Sequence, residues 1–304
     1  MAKTYTKLPL SFDEQLNLLV SRGLTINDRD QAREALATVS YYRLSAYWYP
    51  FRVRDASGNA TDQFEPGSRF SEVIPLYEFD RQLRLVVMDA LERVEIAIRT
   101  QIVYHLAHTY GTFAHTDPGN FQPGFLHADW LAGIESEANR SKEPFIHHYR
   151  QTYQGFPALP IWMATEVMSM GALSLLYKWM KNPDRKAISE YFNTHHMRFG
   201  SNLHTLTYIR NICAHHNRLW NREFAIPPHV SRHPHWQPPV TPRHDRLFYV
   251  LLVLRQLLSA MGTGEPWQQL CSDLIAPIAA NDRWRKAMGM SEGWEEHTLW
   301  KVTP

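Results

Sequence analysis

Arg210, Asn211 and His215 lie close together in the string Tyr-Ile-Arg-Asn-Ile-Cys-Ala-His-His-Asn-Arg-Leu-Trp-Asn-Arg, residues 208–222. These residue types suit RNA cleavage without a metal. That reaction needs a base for the 2′-OH proton, an acid for the leaving 5′-oxygen, and a cation for charge developing on the phosphate. A histidine that titrates near neutral pH serves as base or acid, which assigns that role to His215. Arg210 offers a permanent forked donor that matches phosphate oxygens. Asn211, one turn before His215, can orient the imidazole or touch the phosphate. Attack by the 2′-OH leaves 2′,3′-cyclic phosphate and 5′-OH ends, so DNA is not a substrate.

A helix must present these groups. At about 100° per residue, Ile209, Ile212, Cys213, His216, Leu219 and Trp220 share one face. His216 then falls within the apolar stripe and is expected as a packed, hydrogen-bonded core histidine that supports the site. Arg210 and His215 flank the stripe, roughly 140° apart on an ideal helix. Either the helix breaks locally, or two copies of the motif face each other across one cleft.

The Arg-Asn-x-x-x-His string resembles the signature of HEPN-domain ribonucleases. The longer run to Arg222 is similar to the bacterial abortive-infection AbiD/AbiF-type proteins, a HEPN branch linked to phage defence. The resemblance covers roughly residues 5–260, through Tyr41-Tyr-Arg-Leu, Phe79-Asp-Arg-x-Leu-Arg, Glu92-Arg-x-Glu-x-x-x-Arg and Trp162-x-x-x-Glu. It implies an endoribonuclease toxin acting on cellular or phage RNA, with two domains paired around one cleft. One motif per chain then requires a homodimer. AbiF-like relatives also suggest a small structured RNA as partner. The competing reading is a non-catalytic HEPN module that holds such an RNA.

Around this centre, further residues have two readings each. Tyr42 and Arg43 belong to an aromatic run, residues 39–49, which reads as an RNA-stacking platform or, more simply, as packing. Glu95 and Arg99, like Asp80–Arg84 and Asp89–Arg93, are i,i+4 pairs whose default is a solvated ion-pair face; the resemblance instead makes Glu95 and Arg99 supports of the cleft. Glu166 sits beside an apolar stripe and is expected to pair with an arginine, a role at the site being the alternative. Arg218 and Arg222, with Arg232 and Arg243, form a candidate basic rim for RNA phosphates.

The 304-residue chain carries 32 basic and 30 acidic residues, a net charge of +2, so bulk charge gives no case for nucleic acid. Its two cysteines suggest neither a disulfide framework nor a zinc site. Adjacent histidines at 147–148 and 195–196 diverge on a helix and share no ion easily, so neither metal nor cofactor is expected. No signal-peptide core or long apolar run appears, which points to a cytoplasmic protein without membrane association.

Helical periodicity dominates. Ser11 and Glu14 form a capping box, and a pattern from Ser71 to Tyr110 repeats apolar residues every three or four positions until Gly111. A helix that long is expected to bend. Shorter helices follow, then a proline- and histidine-rich loop over 226–242 and two further helical segments. The expected fold is all-α: a HEPN-like helical bundle with an N-terminal helical extension and C-terminal helices. Its divisions are an N-terminal helical and aromatic segment at 1–70, the core at 71–262 and a helical tail at 263–304.

Overall fold

The computed structural model describes Thr4 and residues 6–301. The chain forms two compact units, Met1–Gln82 and Leu83–Pro304. Among the described residues the fold is all-α, with thirteen α-helices and one two-stranded sheet. No helix among them is long and apolar enough to cross a membrane.

In the first unit, α1 (Phe12–Ser21) starts at the expected capping box: the Glu14 N–H donates to Ser11 Oγ, and the Ser11 N–H to the Glu14 carboxylate. Asp28 caps α2 (Arg29–Val39), and Ser40 caps α3 (Tyr41–Trp48). The aromatic run divides by face. Leu44, Tyr47 and Trp48 are buried, with Trp48 against Tyr41 and Phe70, whereas Tyr42 is 89% exposed and Arg43 points to solvent. Packing therefore accounts for one face only. Strands β1 (Arg52–Arg54) and β2 (Ala60–Phe64) pair antiparallel around a turn organised by Asp55, whose carboxylate accepts from the Ser57 and Asn59 N–H groups.

Helix α4 (Phe70–Tyr110) is continuous over 41 residues, about 60 Å, and the division between the units falls within it. Gly111, at φ +92°, ends it as expected. The stripe Leu83, Val87, Ala90, Val94, Ile98, Ile102 and Leu106 is fully buried. Of the ion pairs expected on its solvated face, Asp89–Arg93 fits, at 2.9 Å. Asp80 and Arg84 depart from that expectation: both are buried, and Asp80 accepts from Tyr47 Oη at 2.6 Å.

The second unit continues with α5 (His127–Arg140), α6 (Pro144–Thr152), α7 (Ile161–Val167), α8 (Met170–Trp179), α9 (Asn182–Tyr191) and α10 (His196–Ala214). After the proline-rich loop come α11 (Leu247–Ala260), α12 (Gly264–Ala279) and α13 (Asp282–Ala287). Helix α10 packs on α8 and α9 through Phe199, Leu203, Leu206 and Ile209. Helix α11 is apolar and buried on nearly every side, as a central helix must be, and packs on α12. Trp267 on α12 donates its indole N–H to the Val86 carbonyl at 2.9 Å, fixing α12 to α4.

Candidate active site

Helix α10 ends where the motif does. Ile209, Ile212 and Cys213 hold it in the core. His215 is its C-cap residue at φ −89°, ψ 11°, and His216 follows at φ +56°. The His216 N–H donates to the Cys213 carbonyl at 3.0 Å and the Asn217 N–H to the Ile212 carbonyl at 2.9 Å. This pair of bonds satisfies carbonyls that the helix end would otherwise leave open, in the Schellman pattern. Glycine usually fills the left-handed position, because a Cβ there costs about 1 kcal/mol. A histidine occupies it here.

His216 thus departs from the sequence expectation. It is exposed, because the helix stops before it and the chain turns away from the stripe; Leu219 and Trp220 return to the core beyond the turn. His215 and Asn211 are exposed as well.

The break does not bring Arg210 and His215 together. His215 leaves the helical dihedrals, but its N–H still donates to the Asn211 carbonyl at 3.0 Å and continues the last turn, so the divergence of roughly 140° persists. Arg210 instead lines a groove of about 840 Å³ between α4, α7 and α10. Helix α4 contributes Glu92, Glu95, Ile96, Arg99 and Val103, and α7 contributes Trp162 and Glu166, one turn apart on the same face. His215 is not among the lining residues. Four sequence-singled residues, Glu95, Arg99, Glu166 and Arg210, therefore meet in one place, and the motif histidine lies outside it.

Arg99 anchors the groove. Its Nη2 donates to the Met168 carbonyl at 2.7 Å and to the Glu95 carboxylate, while its Nη1 is buried with no hydrogen-bond partner. The Glu95–Arg99 pair is thus sequestered rather than part of a solvated face. Arg210 is exposed, and among the described residues its side chain makes one long hydrogen bond, of 3.5 Å, to the Asn211 side-chain oxygen. Glu166 is exposed, against the expectation of a buried glutamate held by an arginine, because Ile161, Ala164 and Thr165 form the packed face of this short helix. Large apolar and aromatic side chains also line the groove and stand open: Ile96 is 55%, Tyr104 64% and Trp162 47% exposed. Trp162 and Tyr104 were not singled out from sequence as site residues. The i,i+4 spacing of Trp162 and Glu166 was the available signal.

Beyond the turn, Arg218 and Arg222 are half-buried. The Arg222 guanidinium donates to the Arg218 carbonyl at 3.4 Å and lies 6.0 Å from the Tyr208 ring centre. Among the described residues, no group of three or more His, Cys, Asp or Glu side chains is placed to hold a metal ion.

Fold and site together define an all-α protein whose Arg-x4-His string ends a core helix and leaves its histidine on the surface. The chain belongs to the Abi-like protein family, whose model matches residues 34–221, more than half of its length. The match includes Tyr42, the groove and the whole turn after α10, and it is narrower than the 5–260 span of the sequence resemblance. No curated protein and no solved structure matches the chain.

Proposed function

We propose that this protein is a metal-independent HEPN-type endoribonuclease of an abortive-infection system, active as a homodimer with a composite site. One observation carries the reading: His215 and His216 stand exposed at the end of α10, the second in a conformation that glycine would adopt more cheaply. A left-handed histidine at a surface position is a strained residue of the kind that clusters at functional turns, and this supports the reading.

In the proposed reaction the 2′-hydroxyl oxygen bonds to phosphorus and the bond from phosphorus to the 5′-oxygen breaks. One general base takes the 2′-OH proton, and one general acid supplies a proton to the departing oxygen. His215 of one copy fills one of these roles, facing Arg210 of the second copy across the cleft, and solvent water fills the other, so no metal is required. Arg210 stabilises charge on the non-bridging oxygens. Asn211 positions Arg210 or the phosphate, and Arg99 with Glu95 holds α4 against the α7–α8 junction at Met168. His216 supports the turn that presents His215. Arg218 and Arg222, with Tyr42 and Arg43 on α3, serve as RNA contacts. The divergence of Arg210 from His215 supports the dimer, because a single copy does not aim both at one phosphate.

A second reading, a non-catalytic module that holds a small structured RNA, is supported by the exposure of Tyr42 beside Arg43, a pair suited to base stacking and phosphate contact. Labelled total RNA incubated in EDTA with wild-type protein or His215→Ala separates the two. Cyclic-phosphate ends from wild type alone support the nuclease. Retention of one RNA species without cleavage by either protein supports the module.

A further inference from the structure

A second cavity, of about 870 Å³, opens at the other end of α10, among the N-terminus of that helix, α11 and the proline-rich loop. Along the helix axis it lies about 28 Å from His215. Its wall carries Arg198, Arg232, His195, His229, His233 and His235, and no carboxylate among the described residues.

Arg198 is its most informative residue. The guanidinium stacks over the buried Trp236 ring at 5.3 Å, and its Nη2 donates to the neutral Gln256 side chain at 3.2 Å. Its Nε is buried with no acceptor, and among the described residues no carboxylate offsets the charge. Burial accordingly lowers the Arg198 guanidinium from its ordinary value. A half-buried cation with no carboxylate beside it among the described residues is costly, and an incoming anion offsets that cost. The helix N-terminus adds positive potential on the same side.

The wall is fixed in place. Backbone N–H groups of His229 and Ser231 donate to Ser201 Oγ and Tyr249 Oη, at 2.9 and 3.4 Å. Gln237 donates to the Ser231 carbonyl at 2.6 Å, and Trp236 packs on Tyr249 at 4.8 Å. The proline-rich loop is therefore pinned onto α10 and α11, and its histidines are held around Arg198.

We propose that this cavity binds a phosphate-bearing ligand of nucleotide size, with Arg198 as the principal phosphate contact and Arg232 at the rim. The inference stands independently of the nuclease reading, since none of these residues belongs to the groove or the motif. The volume falls in the range of small-molecule sites and far exceeds one phosphate. The phosphate belongs either to a free nucleotide or to a nucleic-acid strand.

Calorimetric titration of the full chain with ADP, inorganic pyrophosphate and a single-stranded DNA oligonucleotide distinguishes these sources; the DNA lacks a 2′-OH and is not cut by the proposed chemistry. Saturable binding of ADP or pyrophosphate, weakened roughly tenfold or more by Arg198→Met, supports the site with a free-nucleotide source. Binding of the oligonucleotide alone, weakened similarly by Arg198→Met and Arg232→Ala, supports the site with a strand source. Melting curves check that Arg198→Met folds, and the exposed Arg232→Ala keeps the test open if it does not. Absence of binding by all three probes, or binding unchanged in the folded variants, overturns the proposal.

Discussion

Arg210 and His215 share α10 but serve different surfaces: Arg210 lines the groove of α4 and α7, and His215 caps the helix outside it. In the proposed reaction a second copy supplies the missing partner. The open apolar rim of the groove, with Ile96, Tyr104 and Trp162, is surface that a second copy would cover.

The turn after α10 makes a prediction about residue 216. His216→Gly and His216→Ala remove the same side-chain interactions, so their difference isolates the backbone. With φ at +56°, the glycine variant should be the more stable by about 1 kcal/mol, the reverse of the usual order in helices. Denaturant unfolding of both variants checks this. An alanine variant equal to or more stable than the glycine variant would remove the argument from strain.

Arg99 should matter to stability as well as to the groove. Arg99→Ala leaves the buried Met168 carbonyl without its donor and the Glu95 carboxylate without its cation. A loss of about 1–3 kcal/mol is expected, with only partial rescue in Arg99→Lys, because the compact, strongly hydrated ammonium is costlier to hold in this sequestered place than a guanidinium. Full rescue by lysine would show that charge alone suffices.

Acid should weaken the second unit through buried histidine. His115 is pushed down to about 4 by burial, and secondarily by the nearby His127. In the unfolded chain it takes up its proton near 6.5, so between these values the unfolded state holds more protons. Stability is therefore complete above pH 6.5 and falls as pH drops toward 4, by about 3 kcal/mol from this residue. His196 and His297, lowered chiefly by burial, add in the same direction. His115→Phe, which keeps a ring against Trp130, should flatten the profile in urea unfolding across this range. An unchanged slope would contradict the assignment.

The long helix was legible because its signals are local: an apolar residue every third or fourth position, then Gly111. The end of α10 was not, because His216 stands where a glycine would have announced the stop, and the apolar spacing continues to Trp220. Glu95, Arg99, Glu166 and Arg210 could each be picked out, but their meeting depends on how α4, α7 and α10 pack, which no local pattern encodes. The same holds for Asp184. It is buried on α9 and accepts from Tyr110 Oη at 2.9 Å while meeting His105 Nε2 at 2.8 Å, contacts that join positions more than seventy residues apart.

The composite site is tested most directly by mixing. Purified Arg210→Ala and His215→Ala proteins, each expected to lose at least about a hundredfold in RNA cleavage while keeping the wild-type melting temperature, are unfolded together, refolded and assayed in EDTA. In a mixed dimer one motif retains its arginine and the other its histidine. The account predicts that part of the wild-type cleavage returns, with cyclic-phosphate ends, only in the mixture. Cleavage by either variant alone at the wild-type rate, or a mixture as inactive as its parts beside an active wild type, would contradict it.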